Sequence, residues 1–468
     1  MMKKLYVTLL LFIVFFVCCI NASAADIYVP DDYSTIQFAV DNASAGDTIT
    51  VRDGTYTENV DVAKRLTIQS ENGSASAIVS ALSADDHVFT LTAGSVNVSG
   101  FTIGGASEAW KIGIYISGVD HCNISDNNIS NNSRGVLITD TSTNNTLSNN
   151  IVLDNTIGIY LYSSCDNNTL SNNTAYLNTD YGIYIHTSSN NIISDNTVFD
   201  NSNGIYLYSS SNNIISDNTV FDNFYGIYLR TSSNNSISGN TAYSNNNGLR
   251  LLFSSNSNLL FNNYLNNTNN AYSDGSNIWN TTKTLGINIV GGPYLGGNYW
   301  SDYNGTDTDG DGLGDTYTPW GPGDYLPLVL YTPPSPSNII IVTQMSTAYI
   351  SWSPNLSFTP PYSMYYYWNV TNTTDEVDNG VTTNTYTGPI PNLLPPGTYT
   401  FHLNASDNTT FSGNVTTPFI ITNTVDMMIP QPTQGQSQSY GFIGVVGLLA
   451  IPFILKSFRD NKKYGDEE

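Results

Sequence analysis

The chain has 468 residues, 14 Lys and Arg against 38 Asp and Glu, and a formal net charge of −24. A surface this negative repels a phosphate backbone, which excludes nucleic acid as a partner. Only 11% of residues are charged and 40% are apolar, and the polarity comes from Asn, Ser and Thr, a balance that fits an all-β chain with many polar turns.

Residues 1–24 read as a secretory signal peptide. Lys3 and Lys4 precede an apolar core from Leu5 to Ile20, and Ala22-Ser23-Ala24 forms a small-residue cleavage site. Cys18 and Cys19 lie inside it. Cys122 and Cys165 remain, two coils apart in the repeat described next, about 9–10 Å by strand spacing. A disulfide needs Cα atoms within about 7 Å, so both read as unpaired replacements in polar columns. Asn-x-Ser/Thr sequons recur at Asn72, Asn97, Asn123, Asn234, Asn304, Asn369, Asn404 and elsewhere, as on an exported surface.

Glycine recurs at Gly113, Gly135, Gly158, Gly182, Gly204, Gly226 and Gly248, at intervals of 22, 23, 24, 22, 22 and 22 residues. One place after each stands Ile114, Val136, Ile159, Ile183, Ile205, Ile227 or Leu249. Three places after stands Ile116, Ile138, Leu161, Ile185, Leu207, Leu229 or Leu251. Period-two alternation of branched residues predicts a strand with both columns inside. A second short strand centres on Ile193 and Ile215, a third on Val198 and Val220. Three strands per coil of about 22 residues predict a right-handed parallel β-helix. Fourteen places after the glycines stand Asn127, Asn149, Asn172, Asn196, Asn218, Asn240 and Asn262. They predict a side-chain ladder, with the insertions of the longer coils beyond it. Asp195, Asp200, Asp217 and Asp222 recur with the coil and read as turn residues.

From Asp26 to Ile112 the pattern is irregular but strand-like. It contains one predicted helix, with Ser34 and Gln37 as a capping box, Ile36, Ala39, Val40 and Ala43 on one face, and Gly46 as its end. Such a helix would cover the open end of the β-helix. The stretch DIYVPDDYSTIQFAVDNASAGDTITVRDGTYTENV and the Gly-opened repeats after it resemble the NosD-type right-handed β-helix family, also described as carbohydrate-binding and sugar-hydrolase repeats. The ending GNYWSDYNGTDTDGDGLGDTYTPWGPGDYLPL resembles the close of such domains in archaeal surface proteins. The resemblance covers roughly Asp26 to Leu330 and implies a β-helix spanning 25–330. Copper binding goes with the family name, yet the His, Cys and Met pattern that copper prefers is missing.

Three constellations could carry chemistry. In DTDGDGLGD, Asp307, Asp309, Asp311 and Asp315 with the Leu313 carbonyl match positions one, three, five, nine and seven of a calcium loop. Thr318 replaces the closing Glu, so Asp302 or Asp324 would complete the set. Calcium is thus expected as a structural ion. On the outer face of the first strand stand Tyr115, Tyr160, Tyr184, Tyr206 and Tyr228, and two places on Tyr162, His186, Tyr208 and Arg230, an aromatic sheet suited to sugar rings or to cross-strand packing. For a polysaccharide hydrolase or lyase, an acid/base set is required. Asn178-Thr179-Asp180 is similar to one polygalacturonase motif, but its partner motifs are absent.

Pro-rich residues 331–337 form a linker to a second domain, 338–424. There Trp352 and LLPPGTYTFHLNASD resemble a fibronectin type III or immunoglobulin-like sandwich. A further linker, 425–439, leads to an anchor at 440–458, an apolar run from Tyr440 to Leu455 closed by Lys456, Arg459, Lys462 and Lys463. This predicts a single transmembrane helix with the tail, 459–468, inside. The expected protein is a non-catalytic cell-surface glycoprotein, a β-helix stalk for envelope structure or carbohydrate binding. Its expected partners are polysaccharide or other envelope components, and the membrane. A surface polysaccharide-active enzyme is the alternative.

Overall fold

The structure, a computed structural model, describes residues 24–331 and the strands of a second unit between Ser337 and Met428. The signal peptide up to residue 23, the anchor at 440–458 with its linker and the tail at 459–468 lie outside the described residues. No described helix is long and apolar enough to cross a membrane.

The first unit is a parallel β-solenoid of the right-handed type with about 11 turns. One coil runs through a long strand (Tyr181–His186), a short second strand (Ile192–Ser194) and a short third strand (Thr197–Phe199), before the next long strand, Asn203–Tyr208. Stacking gives a long-strand sheet of 10 strands beside second and third sheets of 11 each. Register is in step: Ile183 pairs with Ile205, Tyr184 with Tyr206 and Ile185 with Leu207. The predicted inner columns fill the core, where Ile183, Ile185, Ile193, Val198 and their stacked equivalents are fully buried.

The repeating glycine has a steric cause. A methyl group on Gly182 would lie 2.5 Å from Cγ1 of Val198 and 2.9 Å from the Gly204 carbonyl oxygen. The long strand passes too close there to the third strand and the next coil for any side chain to fit.

Three asparagine ladders run along the solenoid, where the sequence pattern pointed to one. The predicted column is displaced by one residue in the longer coils. Its members are Asn127, Asn150, Asn173, Asn196, Asn218, Asn240, Asn263 and Asn298. Asn149, Asn172 and Asn262 are instead the preceding turn residues, with φ of 56°, 55° and 55°. The doublets Asn-Asn hide this. The extra residue of the coils opening at Gly135, Gly158 and Gly248 lies before the ladder, between long and second strands, and not beyond it. A further residue in the Gly158 coil does lie beyond, between Tyr176 and Tyr181.

At every step of this first ladder the side-chain Oδ1 of one Asn accepts both the backbone N–H and the Nδ2–H of the Asn one coil earlier. For Asn218 these are Asn196 N and Nδ2, each at 2.9 Å. Nδ2 of Asn218 also donates to the Ile193 carbonyl at 2.9 Å. A second ladder runs from Asn145 through Asn168, Asn191, Asn213 and Asn235 to Asn258. A third runs from Asn132 through Asn155, Asn178, Asn201 and Asn223 to Asn245. A serine column, Ser188, Ser210, Ser232 and Ser255, does the same with hydroxyls. Cys165 stands in that column and Cys122 heads an Asn ladder. Both thiols are free and buried.

The N-terminal helix is Ile36–Asn42, with Ile36, Ala39 and Val40 buried in the solenoid core. Its N-cap is Thr35, whose hydroxyl accepts Phe38 N–H at 3.1 Å, not the predicted Ser34. Gln37 closes no capping box. Glu58, from the next coil, accepts the Ile36 and Gln37 N–H groups at 3.0 and 2.9 Å. Lys64 donates to the Val40, Asp41 and Ala43 carbonyls at the other end. The helix stops at Ala43, which is extended, and Gly46 lies beyond. Both termini are therefore held by charges of the sign each end attracts.

At the opposite end, Trp279 and Trp300 enter the core and Asp324, fully buried, takes the place of a next ladder residue. Its Oδ2 accepts Asn298 N–H at 2.7 Å and Trp300 Nε1–H at 2.8 Å, and its Oδ1 accepts Leu326 N–H at 3.0 Å.

The second unit has two antiparallel sheets, of three strands (Thr347–Ser353, Ser337–Gln344, Met427–Met428) and four (Glu376–Thr382, Tyr365–Thr371, Gly397–Ser406, Val415–Ile421). Ile341, Ile350, Trp352, Val370, Phe401 and Leu403 form one core between them. Its first strand begins at Ser337, the last residue assigned to the Pro-rich linker. Thr332 to Pro336 lie outside the described residues.

Candidate binding face and closing loop

The outward positions of the long strands form a continuous aromatic row. Tyr160 stacks on Tyr184 at 4.6 Å between ring centroids, Tyr184 on Tyr206 at 5.1 Å, and Tyr206 packs on Tyr228 at 4.8 Å. Beside it run Tyr162, His186 and Tyr208 at 5.1 and 4.9 Å, ending under Arg230, which lies 5.6 Å over Tyr208. Tyr181 joins by stacking on Tyr184 and Tyr206. Tyr162 is 40% exposed, whereas Tyr160 and Tyr206 are only 5% and 6% exposed. Ring faces are thus turned to neighbouring coils, with Tyr160 and Tyr206 nearly closed off and Tyr184, Tyr208 and Tyr228 half-buried. The face cannot receive sugar rings flat on each tyrosine. It can offer the exposed Tyr162 and the half-buried Tyr184, Tyr208 and Tyr228.

Burial raises the phenol pKa of Tyr160, Tyr181, Tyr184 and Tyr228 and pushes Tyr206 up to about 12. Burial also lowers His186, whose Nδ1 lies 3.2 Å from the Tyr160 hydroxyl. The row is neutral at physiological pH. Its charge comes from arginine. Between Lys111 and Lys283 the Lys and Arg residues are Arg134, Arg230 and Arg250, and all three lie on long strands among aromatic rings. Among the described residues none has a carboxylate within 4.0 Å. Nε of Arg134 and of Arg250 is buried without a hydrogen-bond partner. From Ile112 to Ser273 the long strands hold no Asp or Glu.

A second aromatic row, on the third sheet, escaped the sequence reading. Tyr176, Phe199, Phe221 and Tyr243 stack at 4.8, 4.8 and 4.9 Å with near-parallel rings. The 22-residue spacing of Phe199 and Phe221 was the available signal. Asn178 is a buried ladder member, so the polygalacturonase-like tripeptide is structural.

The closing loop divides the predicted calcium ligands. Carboxylate oxygens of Asp307, Asp309 and Asp315 lie within 4.8 Å of one another. Asp311 turns away and pairs with Lys283, and its Oδ1 accepts Leu313 N–H at 2.8 Å. Leu313 buries its side chain and bridges to Leu328. Asp302 accepts from Asn270 and Asp324 closes the solenoid, so neither joins the group. Asp307 also binds Gly310 and Gly312 N–H at 2.7 Å each. Thr308, through its hydroxyl and N–H, holds the Asp315 carboxyl below the usual range.

The description "Periplasmic copper-binding protein (NosD)" matches residues 40–191 and 162–305, together more than half of the chain. A cell surface glycoprotein of Methanothermus fervidus is 37% identical over 134 residues, 28% of this chain and 21% of that one. The chain thus spans about a fifth of the length of that relative. Among solved structures, the Azotobacter vinelandii mannuronan C-5 epimerase AlgE6 A-module is 14% identical with a TM-score of 0.40, over 52% of this chain and 92% of that one. Pectate lyase Pel9A is 16% identical with a TM-score of 0.42, over 55% and 80%. Copper does not fit the residues present. Among the described residues the converging ligand group is three hard carboxylates, which copper disfavours. The two thiols stand in separate columns, and burial pushes Cys165 up to about 11 and raises Cys122. By its matched solenoid the chain belongs to the NosD family, in a form without the donor set the family's description implies.

Proposed function

We propose that this protein is an exported, surface-displayed, non-catalytic solenoid that binds acidic polysaccharide on its long-strand sheet. The observation that carries this reading is the placement of Arg134, Arg230 and Arg250. On a chain of net charge −24 they lie on the one long-strand sheet, Arg230 and Arg250 on adjacent strands and Arg134, itself buried, four coils away, without carboxylates within 4.0 Å. Arginine there supplies planar donors for a carboxylate, and the exposed and half-buried tyrosines supply hydroxyls for sugar oxygens. Phenols with raised pKa values donate hydrogen bonds and abstract protons poorly, which favours binding over elimination chemistry. The name of the Methanothermus relative supports a place at the cell surface.

The test is binding of the purified ectodomain to immobilised uronate-containing and neutral polysaccharides. Binding to the acidic class, weakened by salt, is expected. Arg230→Ala is expected to reduce affinity about tenfold or more, since a hydrogen bond to a charged group is worth roughly 1.5–3 kcal/mol. Release of unsaturated or shortened sugar products would sink the non-catalytic reading.

We further propose a structural calcium ion at the closing loop, favoured by the convergence of Asp307, Asp309 and Asp315. Calcium should raise the melting temperature, and Asp307→Ala or Asp309→Ala should abolish the rise. A rise that survives both substitutions removes the ion.

A further inference from the structure

Two asparagine positions recur in this solenoid, the ladder and the turn before it, and sequons begin at the second and not at the first, with further sequons at Asn97, Asn123 and Asn128 on strands. Ladder asparagines are buried, and their Nδ2 atoms are engaged. Asn196, for example, donates to the Leu170 carbonyl and to Asn218 Oδ1 at 2.9 Å each. No ladder residue, from Asn127 through Asn298, has Ser or Thr two places on. In the regular coils the residue just before a ladder Asn is left-handed and at least partly exposed. At five left-handed places it is an Asn followed two residues later by Ser or Thr: Asn131, Asn144, Asn167, Asn172 and Asn234, with φ of 58°, 55°, 58°, 55° and 59°; Asn266, before Asn267 at the last step of the third ladder, begins a sixth such sequon without the left-handed φ. There the ladder Asn is the middle residue of the sequon.

Between Asn173 and Asn223 no asparagine begins a sequon. Asn190 and Asn212 occupy the same turn position as Asn144, Asn167 and Asn234, with the same exposure and φ of 58°. Only their third residue differs. Ile192 and Ile214 stand in register between Thr169 and Ser236, and they are 40% and 44% exposed. Those two coils carry Tyr184, His186, Tyr206 and Tyr208 on one sheet and Phe199 and Phe221 on another.

We infer that Asn131, Asn144, Asn167, Asn172 and Asn234 carry N-linked glycans, and that the coils between them form a bare band around both aromatic rows. The donor is a lipid-phosphate-linked oligosaccharide. A bond forms from the exposed Asn Nδ2 to the anomeric carbon, and the carbon–oxygen bond to phosphate breaks. The phosphate keeps the electron pair, and one amide proton is released. A ladder Nδ2 has neither the room nor the free hydrogen for this. The glycans would occupy turns next to the solenoid's sheets and leave the central coils open for contact.

The inference rests on the export proposed above. Intact-glycopeptide mass spectrometry of the full chain, purified from the cells that produce it, tests it. The five named positions should be occupied, and residues 173–233 bare. The variant Ile192→Thr restores a sequon with a residue already accommodated at Thr169, and should gain a glycan at Asn190. Glycans at Asn72 or Asn304 with the five turn positions bare would overturn the inference and leave export standing. A bare Ile192→Thr peptide beside an occupied Asn167 would also overturn it. No glycan anywhere on the chain would overturn it together with the export reading.

Discussion

Replacing Asn218 by Ala is expected to lower the unfolding free energy of the solenoid by about 4 kcal/mol or more. The substitution deletes one acceptor that serves two donors and one amide that serves a carbonyl and the next ladder residue. It leaves the Asn196 backbone N–H and the Ile193 carbonyl without these partners in a site closed to water, and each orphaned buried group costs roughly 1–3 kcal/mol. Denaturant unfolding followed by circular dichroism gives the number. The same substitution at Asn212, exposed in the adjacent turn, should stay within about 1 kcal/mol. Equal losses at the two sites would refute the ladder's energetic role.

Asp324 gives the second large effect, and it depends on pH. Burial pushes its carboxyl up to about 6 in the folded chain, against 3.8 as the ordinary value. A group whose folded pKa is raised contributes stability below its unfolded pKa. That contribution is lost as pH climbs through the folded value. The window is therefore pH 4–6, and the full swing is roughly 3 kcal/mol. Asp324→Asn is expected to be less stable at every pH, because N–H donors face both carboxylate oxygens and an amide nitrogen must meet one of them. The stability gap between the two proteins should widen on acidification from pH 7 to pH 4. A gap that stays constant or narrows would contradict burial as the dominant influence on this carboxyl.

The parts of this fold that were legible in the sequence are those set by a repeat. Gly182, Gly204 and Gly226 mark the point of the long strand where no side chain fits. Ile183 and Ile185, with their stacked copies, announce strands by alternation. The parts that were not legible depend on contacts the period does not display. In Asn149-Asn150 either residue could face inward, and only the length of the preceding turn decides. Ser34 and Gln37 satisfied a local capping rule, yet Thr35 is the cap and Glu58 and Lys64, a coil later, add charged contacts at the two helix ends. Asp311 had the right spacing for a cation, but Lys283 reaches it first. The aromatic columns were readable as outward, while their ring-to-ring stacking follows from the coil spacing, which single-strand alternation does not reveal.

The ladders also make the solenoid a ruler. Every buried amide hands its hydrogen bonds on in one direction, from Asn173 to Asn196 to Asn218 to Asn240, and each step advances the stack by about 4.8 Å. A whole unit such as residues 204–225 begins and ends at the same point of the coil. Its removal would join Asn203 to Gly226 and set Asn196 directly against Asn240, with each column still continuous. Reach can therefore change by increments of one coil at no cost in register, and the one or two extra residues of the longer coils are taken up in the turns between strands, where they leave the columns continuous. Length in this architecture is counted in turns.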